Sequence, residues 1–124
     1  MAYNNIHGKV ETYPAGADLT GSQYLFVKAS GANVVVCGNG EAAIGVLFND
    51  PAITRAASVV RGGDPQVYAG TALAAGIDIA SDAAGKAVVA ATGDVVLGTT
   101  RHAAAAGGDL VMINFFQGGN VVPA

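Results

Sequence analysis

The chain carries the same punctuated pattern twice. Ser30-Gly31-Ala32-Asn33-Val34-Val35-Val36 leading to Ile44-Gly45-Val46 is echoed by Asp82-Ala83-Ala84-Gly85-Lys86-Ala87-Val88-Val89 leading to Leu97-Gly98-Thr99. The two copies lie about 53 residues apart, the spacing of a duplicated supersecondary unit rather than of a short solenoid repeat. Each copy runs through a turn, an apolar strand, a turn with an acidic residue, and a small apolar strand with glycine inside it. The pattern restricts the chain to β-structure built as two related halves.

Strand-length apolar pieces follow one another between turn residues at 24–29, 34–37, 43–48, 57–60, 66–69, 77–80, 86–90, 95–100 and 110–116. Nine short strands at regular spacing predict an all-β domain, a compact β-barrel or β-sandwich. No segment combines helical apolar spacing with caps at both ends. Alanine-rich stretches at 71–75 and 102–106 are the best candidates for a helix, of one or two turns each.

At 124 residues the chain is long enough for one domain with a core. Only 12% of its residues are charged and 52% are hydrophobic, against roughly 25% charged in an average soluble domain. So lean a surface predicts that partner chains cover part of it. The net charge is −3 and the six Lys and Arg residues are scattered. That pattern argues against direct nucleic-acid binding, which needs clustered cations to displace counterions. Cys37 is the only cysteine, so no intrachain disulfide can form, and its Val34-Val35-Val36 lead predicts a buried, unreactive thiol. The first residues lack the apolar stretch of a signal peptide and no apolar run reaches membrane-spanning length, so a soluble, non-exported chain is expected.

Residues 1–20 read as an extended N-terminal arm ahead of a single β-domain at 21–124. The arm contains Tyr3, His7 and Tyr13 among Asn, Gly and Pro. Tyrosine offers a large contact area with one polar end, which suits pinning an arm to a neighbour. Phe115 and Phe116 point to opposite faces if they lie on a strand, so one fills the core and the other can meet a neighbouring subunit. Tyr3, His7, Tyr13, Phe115 and Phe116 are therefore the candidate contacts with a partner or a neighbouring subunit.

No residue set reads as a catalytic constellation, a metal cage or a cofactor site, and the chain is not expected to be an enzyme. Val36-Cys37-Gly38-Asn39-Gly40-Glu41-Ala42-Ala43 has the permissive G-x-G-x-x-A form of a dinucleotide fingerprint. That fingerprint requires a helix whose first amides receive the pyrophosphate, and Gly45 and Pro51 leave little room for one. Lys86 follows a glycine turn but lacks the flanks of a lipoyl or biotinyl lysine. His7 and His102 have no second ligand nearby, and zinc needs three or four. A His102–Asp109 pair has no nucleophile to serve. The aspartates mostly fall at turns, where they bond their own backbone.

From Asp18 to about Gly119 the chain resembles the capsid cement, or head decoration, proteins of tailed bacteriophages. The resemblance rests on Asp18-Leu19-Thr20-Gly21-Ser22-Gln23-Tyr24 with Phe26-Val27-Lys28, on Ala42-Ala43-Ile44-Gly45-Val46-Leu47, and on Asn49-Asp50-Pro51-Ala52. It continues through Ala74-Ala75-Gly76, Ser81-Asp82-Ala83-Ala84-Gly85-Lys86-Ala87-Val88, Val96-Leu97-Gly98 and the alanine-rich approach to Asp109. The resemblance implies a compact β-fold, a homotrimer, the major capsid protein as partner, and a place on the outer surface of the head after synthesis in the host cytoplasm. It implies stabilisation of the capsid lattice without catalysis, cofactor, membrane or nucleic-acid contact. The alternatives are a small nucleotide-binding domain, an enzyme subunit completed by another chain, and another virion part such as a head fibre base.

Overall fold

A computed structural model of the chain describes residues 10–116, 121 and 122. They form ten strands and, among the described residues, no helix. The strands are β1 (Val10–Pro14), β2 (Phe26–Ser30), β3 (Asn33–Val36), β4 (Gly45–Leu47), β5 (Ala56–Val60), β6 (Gln66–Tyr68), β7 (Asp78–Ser81), β8 (Ala87–Val89), β9 (Gly98–Thr100) and β10 (Leu110–Phe115). They assemble as two five-stranded antiparallel sheets, ordered β1-β5-β4-β2-β3 and β6-β10-β9-β7-β8.

Adding five to each strand number of the first sheet gives the second, so the duplicated sequence is a duplicated topology. The correspondence extends to individual hydrogen bonds. Ala15 N donates to Arg55 O at 2.9 Å and Ala69 N to Asp109 O at 2.8 Å. Leu19 N donates to Pro51 O and Leu73 N to Ala104 O, both at 2.9 Å. Each sheet curls until its first strand meets its third at one parallel bridge, Ala15 to Val34 and Ala69 to Ala87.

The first strand departs from the sequence expectation. Residues 10–14, expected within the extended arm, pair along their whole length with β5, from Val10 opposite Val60 to Pro14 opposite Ala56. Ala15 and Leu19 are buried behind them. Partner backbone holds this strand, rather than an apolar face of its own: four of its five residues are exposed. The two alanine-rich stretches also form no helix. They cross one another at the Leu73–Ala104 bridge, because each extended segment satisfies the other's amides.

Successive residues of a strand face opposite ways, and the first sheet uses both faces. Val27, Leu47 and Val59 point into a core with Ala15, Leu19 and Val34. Their neighbours Phe26 and Val46 point the other way, into a cluster with Ile79, Leu97, Val111, Ile113 and Phe115 of the second copy. The copies thus share one core. Backbone bonds cross the same boundary, from Phe26 N to Gly85 O at 2.8 Å and from Tyr68 N to Tyr24 O at 3.0 Å.

One pair of equivalent positions departs from ideal chemistry. Thr54 N donates to Ala15 O and Gly108 N to Ala69 O, with φ of 68° and 92° respectively. A β-branched residue at positive φ is strained, whereas glycine is at ease there. Thr54→Gly, which restores the residue type of the second copy, is expected to stabilise the fold by about 0.5–1 kcal/mol after glycine's entropic cost. Urea unfolding checks this, and an unchanged or lower midpoint would contradict it.

Candidate functional site

A concavity lies where the two copies bring equivalent segments together. Residues 42–44 lead into β4 and residues 95–97 lead into β9, and the two segments line an open groove of about 640 Å³. Phe116 and Lys28 complete its walls. The copies are tied at its base by Gly40 N donating to Ser81 O at 2.8 Å and Val95 N to Gly40 O at 3.0 Å. The lining is largely aliphatic, with an ion pair from Lys28 Nζ to Glu41 Oε1 at 2.7 Å.

Glu41 is held in place from two sides. Its Oε1 accepts from Lys28 and from Gly38 N, both at 2.7 Å, and these bonds hold its carboxyl below the usual carboxylate range. The second copy repeats the device with Asp94, whose Oδ2 accepts from Ala91 N at 2.9 Å. An acidic residue at the fourth turn position binds the first residue's amide in both copies, so the acidic turn seen in sequence is a structural cap.

That geometry answers the fingerprint reading. The Gly38-Asn39-Gly40 turn leads to residues 41–44 and then to strand β4, with no helix start to receive a pyrophosphate. The amides of Gly38 and Gly40 are already bonded within the protein. The nucleotide-binding alternative therefore lacks its structural basis. Cys37 is 1% exposed, and burial pushes its thiol up, away from the reactive thiolate.

The remaining polar candidates are engaged in turns. Asp109 Oδ2 accepts from Ala105 N at 3.1 Å and Ala106 N at 3.2 Å, while His102 Nε2 accepts from Met112 N at 3.1 Å. The two residues thus brace separate backbone segments. Asp82 Oδ1 accepts from Ala84 N and from Lys86 N, at 2.8 and 2.9 Å. Asp18 likewise bonds the backbone and hydroxyl of Thr20. Among the described residues no three His, Cys, Asp or Glu side chains gather to hold a metal ion.

The five candidate contact residues fall in different places. Tyr3 and His7 lie outside the described residues. Tyr13, on β1, donates its hydroxyl proton to Glu11 Oε1 at 2.7 Å and accepts from Arg61 at 3.1 Å, while Arg61 also pairs with Glu11 at 2.8 Å. The Tyr13 and Arg61 bonds hold the Glu11 carboxyl low, and bonding to Glu11 raises the Tyr13 phenol. Tyr13 therefore helps fasten β1 to its sheet. Phe115 is buried at 3% exposure and its ring lies 6.3 Å from that of Phe26, so it cannot serve as a surface contact. Phe116 is half-buried on the groove wall. The groove itself escaped the sequence reading, although its lining segments belong to the repeat: Ala42-Ala43-Ile44 and Val95-Val96-Leu97 stand 53 residues apart.

No family model matches the chain, and no curated protein matches it. Among solved structures the chain is similar to the N base of head fiber gp8.5 of bacteriophage phi29, with 18% identity and a TM-score of 0.72 over 90% of this chain and 96% of that one. At this identity the likeness is one of fold, and it spans both copies of the repeat.

Proposed function

We propose that this chain is a structural protein of a bacteriophage virion that attaches to the outside of the assembled head. The observation that carries the proposal is the fold shared with a phage head-fiber base along nearly the whole of both chains. The charge-poor composition supports it, since a surface with 12% charged residues in the chain gains from being covered. So does the employment of the polar residues in turns and strand fastening rather than in a reaction centre. No catalysis is needed.

Within this reading the chain acts as a cement protein: a homotrimer that binds the major capsid protein lattice. Mechanically this is linkage. A protein that binds the assembled lattice better than separated subunits shifts the equilibrium toward the shell, and several simultaneous contacts multiply the effect. The phi29 likeness specifically favours a second reading, in which the chain forms the base of a head fibre. The two differ in their effect on the shell. Heads saturated with the purified protein should release DNA at a higher temperature than bare heads if it is a cement. Attachment without such a rise assigns it to a fibre base, and no attachment to heads contradicts both.

A further inference from the structure

We propose that His102 makes the β9–β10 connection of the second copy sensitive to acid, whereas the equivalent β4–β5 connection of the first copy is indifferent to pH. The duplication carries the inference. Phe48 N donates to Ser58 O at 2.8 Å and Arg101 N to Met112 O at 2.9 Å. These bonds align Phe48 with Arg101 and Ser58 with Met112, so that Asn49 and His102, the residues after the donors, are equivalent. Each fastens its connection to the facing strand in the same way. Ser58 N donates to Asn49 Oδ1 at 2.9 Å, and Met112 N donates to His102 Nε2 at 3.1 Å. The other polar atom of each side chain reaches a backbone carbonyl, Asn49 Nδ2 that of Ala56 and His102 Nδ1 that of Ala103, both at 3.1 Å. One staple is an amide and the other an imidazole.

The two differ in what a proton does to them. A backbone amide can only donate, so the Met112 bond requires a lone pair on Nε2, and the Ala103 carbonyl requires the proton on Nδ1. Both bonds are made only by the neutral ring. Protonation turns both ring nitrogens into donors, which sets an N–H of the ring against the N–H of Met112 and breaks that bond. The staple is therefore closed where the ring is neutral and opens as the pH falls. Asn49 gains no proton over the same range. The charged groups around the ring are Arg101 and Asp109 of the same connection and Asp64 ahead of β6. Arg101 pairs with Asp64 at 3.0 Å, and Asp109 holds the amides of Ala105 and Ala106. On β7, Asp78 stands opposite Thr99. β10 and residues 71–76, which cross this connection at the Leu73–Ala104 bridge, contain no charged residue. Among the described residues no carboxylate bonds to the ring in exchange for the amide it loses.

Amide hydrogen exchange followed by NMR tests the switch, with each rate divided by that of an unstructured chain at the same pH so that the pH dependence of exchange itself cancels. Between about pH 7.5 and about pH 5, the range in which histidine titrates, protection of the Met112 amide is expected to fall about fivefold, the equilibrium equivalent of one net hydrogen bond. Protection of the Ser58 amide should stay constant. His102→Asn, which puts the first copy's residue into the second, should leave Met112 with a protection that no longer changes with pH. Unchanged protection of Met112 in the parent overturns the proposal. So does a parallel fall at Ser58, or a fall at Met112 that persists in His102→Asn. The parent alone compares the two amides, so the test does not depend on how well the variant folds. It uses the isolated protein, and its outcome is separate from attachment to phage heads.

Discussion

Gly45→Ala and Gly98→Ala are each expected to lower the urea midpoint of unfolding sharply. These glycines occupy the same position in the two copies, at the start of β4 and of β9. A β-carbon on Gly45 would run into the carbonyl of Val60, and one on Gly98 into the carbonyl of Asn114. In both cases the obstacle is the backbone of the next strand, which cannot rotate aside as a side chain can. Relief requires parting β4 from β5, or β9 from β10, with loss of ladder bonds on a buried strand. A cost of about 3 kcal/mol is the upper end for overpacking, a large share of the roughly 5–15 kcal/mol that holds a domain together. Soluble yield and urea midpoints measure it. A variant with the parent's midpoint would show that the strands tolerate separation.

Phe26→Ala is expected to cost about 3–5 kcal/mol, the range for removing a buried phenylalanine. Phe26 is fully buried. It belongs to the first copy in sequence but sits in the cluster formed mainly by the second, against Phe115. Its loss should therefore weaken the two halves together. Equilibrium unfolding should remain a single transition at a lower urea midpoint. Two separated transitions would mean that the copies are independent units joined by a chain, contrary to a shared core.

Much of this architecture was legible because turns and glycines mark the ends of short strands. Every one of the nine apolar pieces read from the sequence contains or overlaps a strand, and the Gly45 and Gly98 positions located the repeat. β1 was missed because Val10-Glu11-Thr12-Tyr13-Pro14 has little apolar surface of its own. Its order comes from β5 and from the Glu11–Tyr13–Arg61 cluster, whose members are 48 and 50 residues apart across the sheet. The alanine stretches misled for a related reason: helix propensity is weak, and pairing of Leu73 with Ala104 outweighs it. The groove was invisible because no single segment forms it. Its walls are two equivalent segments, and only the packing of the copies brings them together. Phe115 is buried and Phe116, just past the end of β10, is half-buried on the groove wall; alternation alone could not say which of the two fills the core.

The claim that the chain attaches to phage heads is tested most directly by sedimenting the purified protein with expanded heads over a range of concentrations. The account predicts that it pellets with heads and reaches a plateau at a fixed number of copies per capsid. Protein that stays in the supernatant at every concentration, while its circular dichroism shows a folded β-domain, would contradict it.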